Sequence, residues 1–293
     1  MSDNIRGALI MMLCMGAFVL NDAFVRLAGG SLPLAQILFI RGLITTTVLL
    51  VVAFYSGVFN LRVSQKDKWR IFFRSIAEAL TAYFFLTAVM NMPFANVTAI
   101  LQILPMTVTL AAAIIFKEKV GLFRTTLIIF GFLGVVLIIN PSADGFNLYA
   151  IYALIAVCLI TTRDLITRKL SSEVSTLLPT VSASIGVLLF STFLLINTPL
   201  QPLNTQNSLF IFLAAFFIIF GYYTAVLVMR SGEISFISPF RYTAILFALI
   251  LGFIFFDEKP DVPAFLGIMI VMLAGIVLMI RNSSVQKNAI EKN

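Results

Sequence analysis

The chain has 293 residues, 60% hydrophobic and only 11% charged, which leaves little for a soluble fold. It contains no His, so the commonest general base is missing and a Ser-His-Asp triad is excluded. Its two cysteines, Cys14 and Cys158, lie in apolar stretches and in no metal-ligand spacing, which argues against a disulfide framework or a metal site. The net charge of +7 would suit nucleic acid, but the basic residues fall on alternate loops, as membrane topology requires, so no nucleic-acid partner is expected.

A helix crossing a hydrocarbon core needs about 20 apolar residues. In chain order, segments of roughly that length lie at 6–28, 34–55, 69–90, 94–116, 121–139, 148–170, 175–197, 208–229, 234–256 and 262–281. The first is too long for a signal peptide and lacks a small-x-small cleavage site. The expected fold is therefore all-α and membrane-embedded, with ten transmembrane helices. No loop is long enough to bury a core of its own.

Basic residues set the orientation. Arg62, Lys66, Lys68 and Arg70 follow the second span, Lys117, Lys119 and Arg124 the fourth, and Arg168 and Lys169 close the sixth. Arg230 follows the eighth, and Arg281, Lys287 and Lys292 follow the tenth. The loops between (91–93, 140–147, 198–207) carry none, and the loop after span nine has only Lys259. Both termini are thus expected in the cytoplasm. Arg26 alone sits against the bias.

The chain also repeats itself. Phe116-Lys117-Glu118-Lys119 recurs as Phe256-Asp257-Glu258-Lys259, and the Gly134 segment recurs at Gly275. Asp22 with Arg26 recurs as Asp164 with Arg168. Five spans per copy is an odd number, so the second copy must insert upside down. The expected organisation is two inverted five-helix repeats, 1–141 and 142–293, as in secondary transporters.

On these residues the chain resembles the EamA-type members of the drug/metabolite transporter superfamily. The resemblance covers residues 6–281. It rests on the two halves, on the glutamates closing spans four and nine (Glu118 and Glu258), on the glycine-bearing spans after them, and on Ser238-Pro239-Phe240-Arg241-Tyr242-Thr243-Ala244 before Gly252. It implies export or import of a small metabolite and a place in a bacterial cytoplasmic (inner) membrane. A homodimer is compatible with it.

A charge within the hydrocarbon region is a functional-site candidate by default. Glu78 lies near mid-bilayer and is read as a substrate-amine partner or a proton-coupling carboxylate; the bland alternative is an i,i+4 pair with Arg74. Arg241 follows Pro239 and can grip a carboxylate or phosphate through two parallel bonds. Arg41 either snorkels outward or pairs with Asp22. The two Asp-x-x-x-Arg pairs, Asp22–Arg26 and Asp164–Arg168, sit at opposite ends of their spans and suit two gates, or else anchor their helices. Asn21, Gln102, Tyr222 and Tyr242 complete the substrate-binding candidates.

There is no Gly-x-x-x-x-Gly-Lys-Ser/Thr loop, so transport would run on a gradient or by exchange, with no cofactor. The function expected is secondary transport, not catalysis, of a small polar anionic or zwitterionic metabolite by alternating access. Two alternatives stay open: transport of a planar vitamin-like or nucleobase-like compound, and a membrane-embedded enzyme, which would need clustered carboxylates or metal ligands at a membrane face, whereas the acidic residues here are scattered. The orientation is checked by labelling. A cysteine introduced at Asn204 should react with an impermeant reagent from outside the cell, and reaction only from the cytoplasm would contradict the topology.

Overall fold

The structure, a computed structural model, describes residues 3–58, 63–116, 121–139, 147–171, 173–228 and 237–290. Arg62, the Lys117-Glu118-Lys119 loop, Arg230, Lys292 and the 141/142 boundary lie outside the described residues. The described chain is all helix, with no strand. In order it runs α1 (Asp3–Gly29), α2 (Leu34–Tyr55), α3 (Gln65–Asn91), α4 (Phe94–Leu101), α5 (Leu104–Phe116) and α6 (Leu122–Ile139). Then come α7 (Leu148–Arg168), α8 (Leu177–Leu195), α9 (Thr205–Val228), a 3-10 turn (Ser238–Tyr242), α10 (Thr243–Phe256) and α11 (Val262–Ile290).

Among the described residues eight helical stretches are long and apolar enough to cross a membrane, with shorter apolar helices at Thr125–Ile139 and Val262–Leu278. Large hydrophobic side chains such as Phe54, Ile114, Phe193, Ile254 and Val262 are exposed around the bundle. Only lipid can cover so wide an apolar exterior, and the chain is an integral membrane protein.

Two of the expected spans are not continuous helices. The span at 94–116 breaks between α4 and α5. Pro105 has no N–H to give the Leu101 carbonyl, and Gln102 and Ile103 instead make tight bonds to Ala99 and Ile100 at 3.0 and 3.2 Å. The span at 234–256 is interrupted by the Pro239-containing 3-10 turn at Ser238–Tyr242 and runs as α-helix from Thr243. The two breaks touch: Gln102 Nε2 donates to the Arg241 carbonyl at 3.4 Å, and Tyr242 Oη donates to the Gln102 carbonyl at 3.2 Å. Irregular backbone is tolerated at membrane depth where protein or a cavity receives its polar groups, as here.

Helices pack mainly across the two halves of the chain. α1 lies along α9, α2 along α8, α3 along α7, α4 against α10, and α6 along α11. The α6–α11 contact is close because two glycines face each other. A Cβ at Gly267 would run into the Gly134 carbonyl oxygen and the Ile138 amide nitrogen, which are backbone atoms and cannot yield. Gly267→Ala should therefore cost about 1–3 kcal/mol of stability, as overpacking does. Thermal unfolding of the purified protein would check this, with Gly121→Ala, whose Cβ meets nothing within 4 Å, as an unaffected control.

Candidate functional site

The end of the bundle at which α1 begins is here the near end, and the end at which α1 finishes the far end. A cavity of about 430 Å³ lies between α1, α2, α3, α7, α9 and the 3-10 turn. On α1 it runs from Met11 to Asp22, about 16 Å at 1.5 Å per residue, around the middle of the bundle. It reaches toward the near end along α9, as far as Val228, the last residue of that helix, which packs with Met11. Four guanidinium groups line it (Arg41, Arg74, Arg163 and Arg241) against two carboxylates, Asp22 and Glu78. Asn21, Gln102, Tyr222 and Thr98 are also on its wall. Among the described residues no cluster of three metal-ligating side chains forms.

The charges are arranged across helices. Arg163 on α7 donates to Glu78 on α3 at 2.8 Å and holds Asp164 beside it at 2.9 Å. Glu78 is thus paired with Arg163 rather than with Arg74, the neighbour one turn away. Arg74 instead donates to Thr167 Oγ1 and the Pro179 carbonyl, both at 3.0 Å. The Glu78–Arg163 pair also weakens the expectation that Glu78 carries the coupling proton, because an adjacent guanidinium already answers its charge.

A second group is centred on Asn21. Arg41 Nη1 donates to Asn21 Oδ1 at 2.8 Å, and Asn21 Nδ2 donates to Asp22 Oδ1 at 2.8 Å. Arg41 is buried, so it does not snorkel outward; it reaches Asp22 only through the amide between them. Arg241 differs from the other three. Its carbonyl is bonded, but among the described residues its guanidinium donates to no acceptor.

Neither expected i,i+4 ion pair appears as drawn. Arg26 leaves Asp22 and makes a two-pronged pair with Glu258 at 2.5 and 3.2 Å, its guanidinium lying 4.2 Å over the Phe256 ring. Glu258 also accepts from the Phe94 amide at 2.6 Å, at the start of α4, where Pro93 offers no side-chain cap. One carboxylate thereby ties α1, α4 and α10 at the far end. Its position follows from Asp257, whose left-handed backbone (φ 50°) ends α10 and turns the Glu258 amide back to the Gly252 carbonyl. Asp164 is taken by Arg163, and Arg168 lies at the exposed near end of α7.

The remaining candidates divide. Tyr222 stands on the cavity wall, edge-on to Phe18. Tyr242 is a correction: it is fully buried, bonded to Gln102 and packed on Gly275, off the cavity wall, so it is a packing residue and not a substrate contact. The sequence reading assigned no role to three residues the structure makes prominent. Arg163 is an intramembrane charge that the sequence places only beside Asp164, with nothing to point to Glu78. Glu258 stood only as a repeat marker, although an acid closing an apolar span at Arg26's depth was an available signal. Thr81, whose buried hydroxyl on the cavity wall has no partner among the described residues, gave no signal in the sequence.

The sequence profile described as the EamA-like transporter family matches residues 5–140 and again 147–281. The pseudopaline exporter CntI of Pseudomonas aeruginosa is 22% identical over 93% of this chain and 95% of its own. The riboflavin transporter of Vibrio cholerae is 26% identical over 67% of this chain and 65% of its own. A solved crystal structure at 15% identity superposes with a TM-score of 0.61, covering 96% of this chain and 98% of the other, which supports the fold alone.

The far-end clamp gives a prediction. Glu258→Gln removes a charge-assisted pair worth about 1.5 kcal/mol or more, roughly tenfold in the population of a far-open bundle. With Cys14 and Cys158 replaced, a cysteine at Leu86 on the cavity wall should then label about tenfold faster from the far side. Unchanged labelling would show that Glu258 does not seal that end.

Proposed function

The chain belongs to the EamA-like transporter family, and on that premise we propose that it is a secondary transporter moving a small anionic or zwitterionic metabolite by alternating access. In this reading ten transmembrane helices form two inverted five-helix repeats, 1–141 and 142–293. Both termini and the near end face the cytoplasm, and the membrane is the bacterial inner membrane. The helix pairing supports the repeat: α1–α9 and α3–α7 exchange under it, while α2–α8, α4–α10 and α6–α11 map onto themselves. The exposed Trp69 beside Lys66, Lys68 and Arg70 suits an interfacial belt on the basic side.

The observation that carries the substrate class is the Arg241 guanidinium. It faces a cavity with four cations against two carboxylates and donates to no acceptor among the described residues. In a site of low dielectric such a group has most to gain from an incoming carboxylate or phosphate. Arg163 and Glu78 then act as a fixed wall, and Asn21 and Gln102 supply neutral contacts. Closure at the far end by Arg26 and Glu258, with the cavity reaching toward the near end, corresponds to an inward-facing state.

A second reading, a planar vitamin-like substrate, draws on the Phe18–Tyr222 edge contact on the wall and on the name of the Vibrio relative. Arg241→Gln separates the two. Losing one charge-assisted contact of about 1.5–3 kcal/mol should raise the half-saturation concentration in vesicle counterflow about tenfold to a hundredfold. An unchanged value would favour the planar, neutral substrate.

A further inference from the structure

We propose that Asp22, and not Glu78, is the proton-binding group of this cavity. The inference deepens the transport reading and rests on it. The cavity holds two carboxylates, and they differ in how their charge is met. Glu78 has the Arg163 guanidinium at 2.8 Å. Asp22 accepts one hydrogen bond, at 2.8 Å, and its donor is the neutral amide of Asn21. Among the described residues no guanidinium bonds to it; Arg41 Nη1 donates instead to the other end of the same amide, at 2.8 Å.

The elements around Asp22 contribute the following charged or titratable groups to the cavity. α2 gives Arg41, and α3 gives Arg74 and Glu78. α7 gives Arg163, α9 gives Tyr222, and the 3-10 turn gives Arg241. Arg74 and Arg163 are held by Thr167, Pro179, Glu78 and Asp164. Among the described residues that leaves Arg241, which donates to no acceptor, and Arg41, whose one bond goes to the neutral Asn21 amide, to meet an anion. An anionic substrate on those two would lie against the Asp22 charge, and two like charges in one low-dielectric site do not both persist. A proton on the free Asp22 oxygen removes the conflict. It enters through the cavity from the near-end water and leaves when the anion does, so proton and anion bind cooperatively and each tightens the other. Asn21 is the positioning residue: its amide keeps Arg41 from neutralising Asp22 directly.

The test needs no substrate. The full-length protein in lipid vesicles is titrated from alkaline to acidic buffer and followed by infrared difference spectroscopy in the carbonyl region of protonated carboxylic acids. The parent should show a buried carboxylic-acid band that is lost in Asp22→Asn and retained in Glu78→Gln. Asp22→Glu should restore a titrating band at a shifted position, which guards against loss through misfolding. A band that survives Asp22→Asn, or one that vanishes in Glu78→Gln instead, would overturn the assignment, as would a parent with no such band. A parent that moves no metabolite across vesicles would defeat the transport reading, and the band would still decide where the proton sits.

Discussion

The free energy of a charge in hydrocarbon governs this structure. Each unpaired ion at mid-membrane costs several kcal/mol, so the ionisable side chains must find one another or water. The Glu78–Arg163 pair is the central instance. It joins α3 to α7 at mid-bundle, fixes the guanidinium that also holds Asp164, and leaves Arg74 to the Thr167 and Pro179 acceptors. With those charges committed, the unbalanced remainder of the cavity is cationic. Arg41 is half-satisfied by an amide, and Arg241 donates to no described acceptor. The same principle works at the far end, where Arg26 cannot stay buried alone and finds Glu258 across 232 residues of chain.

Backbone groups obey a parallel rule. Every N–H and C=O within lipid needs a partner, so the breaks at Gln102–Ile103 and Ser238–Tyr242 are possible only because they meet. The Gln102 and Tyr242 bonds close both breaks against each other. This places the Arg241 side chain at the cavity wall on a short turn rather than in a helix. Glu258 receives the first amide of α4 and the guanidinium of α1, so opening the far end must release both.

How much could be read from the sequence depended on whether the feature was local. Span limits were legible because apolar length is a local property: the expected 34–55 is α2 residue for residue, and α4 and α11 begin where the pattern placed them. Pro105 and Pro239 marked the broken helices, although two of the expected spans had been drawn as continuous. Ion-pair partners were not legible. Spacing of i,i+4 shows that Asp22 can reach Arg26 and Arg74 can reach Glu78, but not that Glu258 and Arg163 compete for them from other helices. Tyr242 failed for a related reason: a tyrosine beside a cavity arginine looks like a contact, yet its side chain turns to Gly275, where the missing Cβ leaves room for its ring.

Counterflow in vesicles with the purified protein, across a panel of metabolites sorted by net charge, tests the central claim most directly. A cavity with four guanidinium groups and two carboxylates predicts saturable exchange of anionic or zwitterionic compounds and exclusion of cations. Saturable exchange of a cationic metabolite, with anions neither carried nor competing, would contradict it.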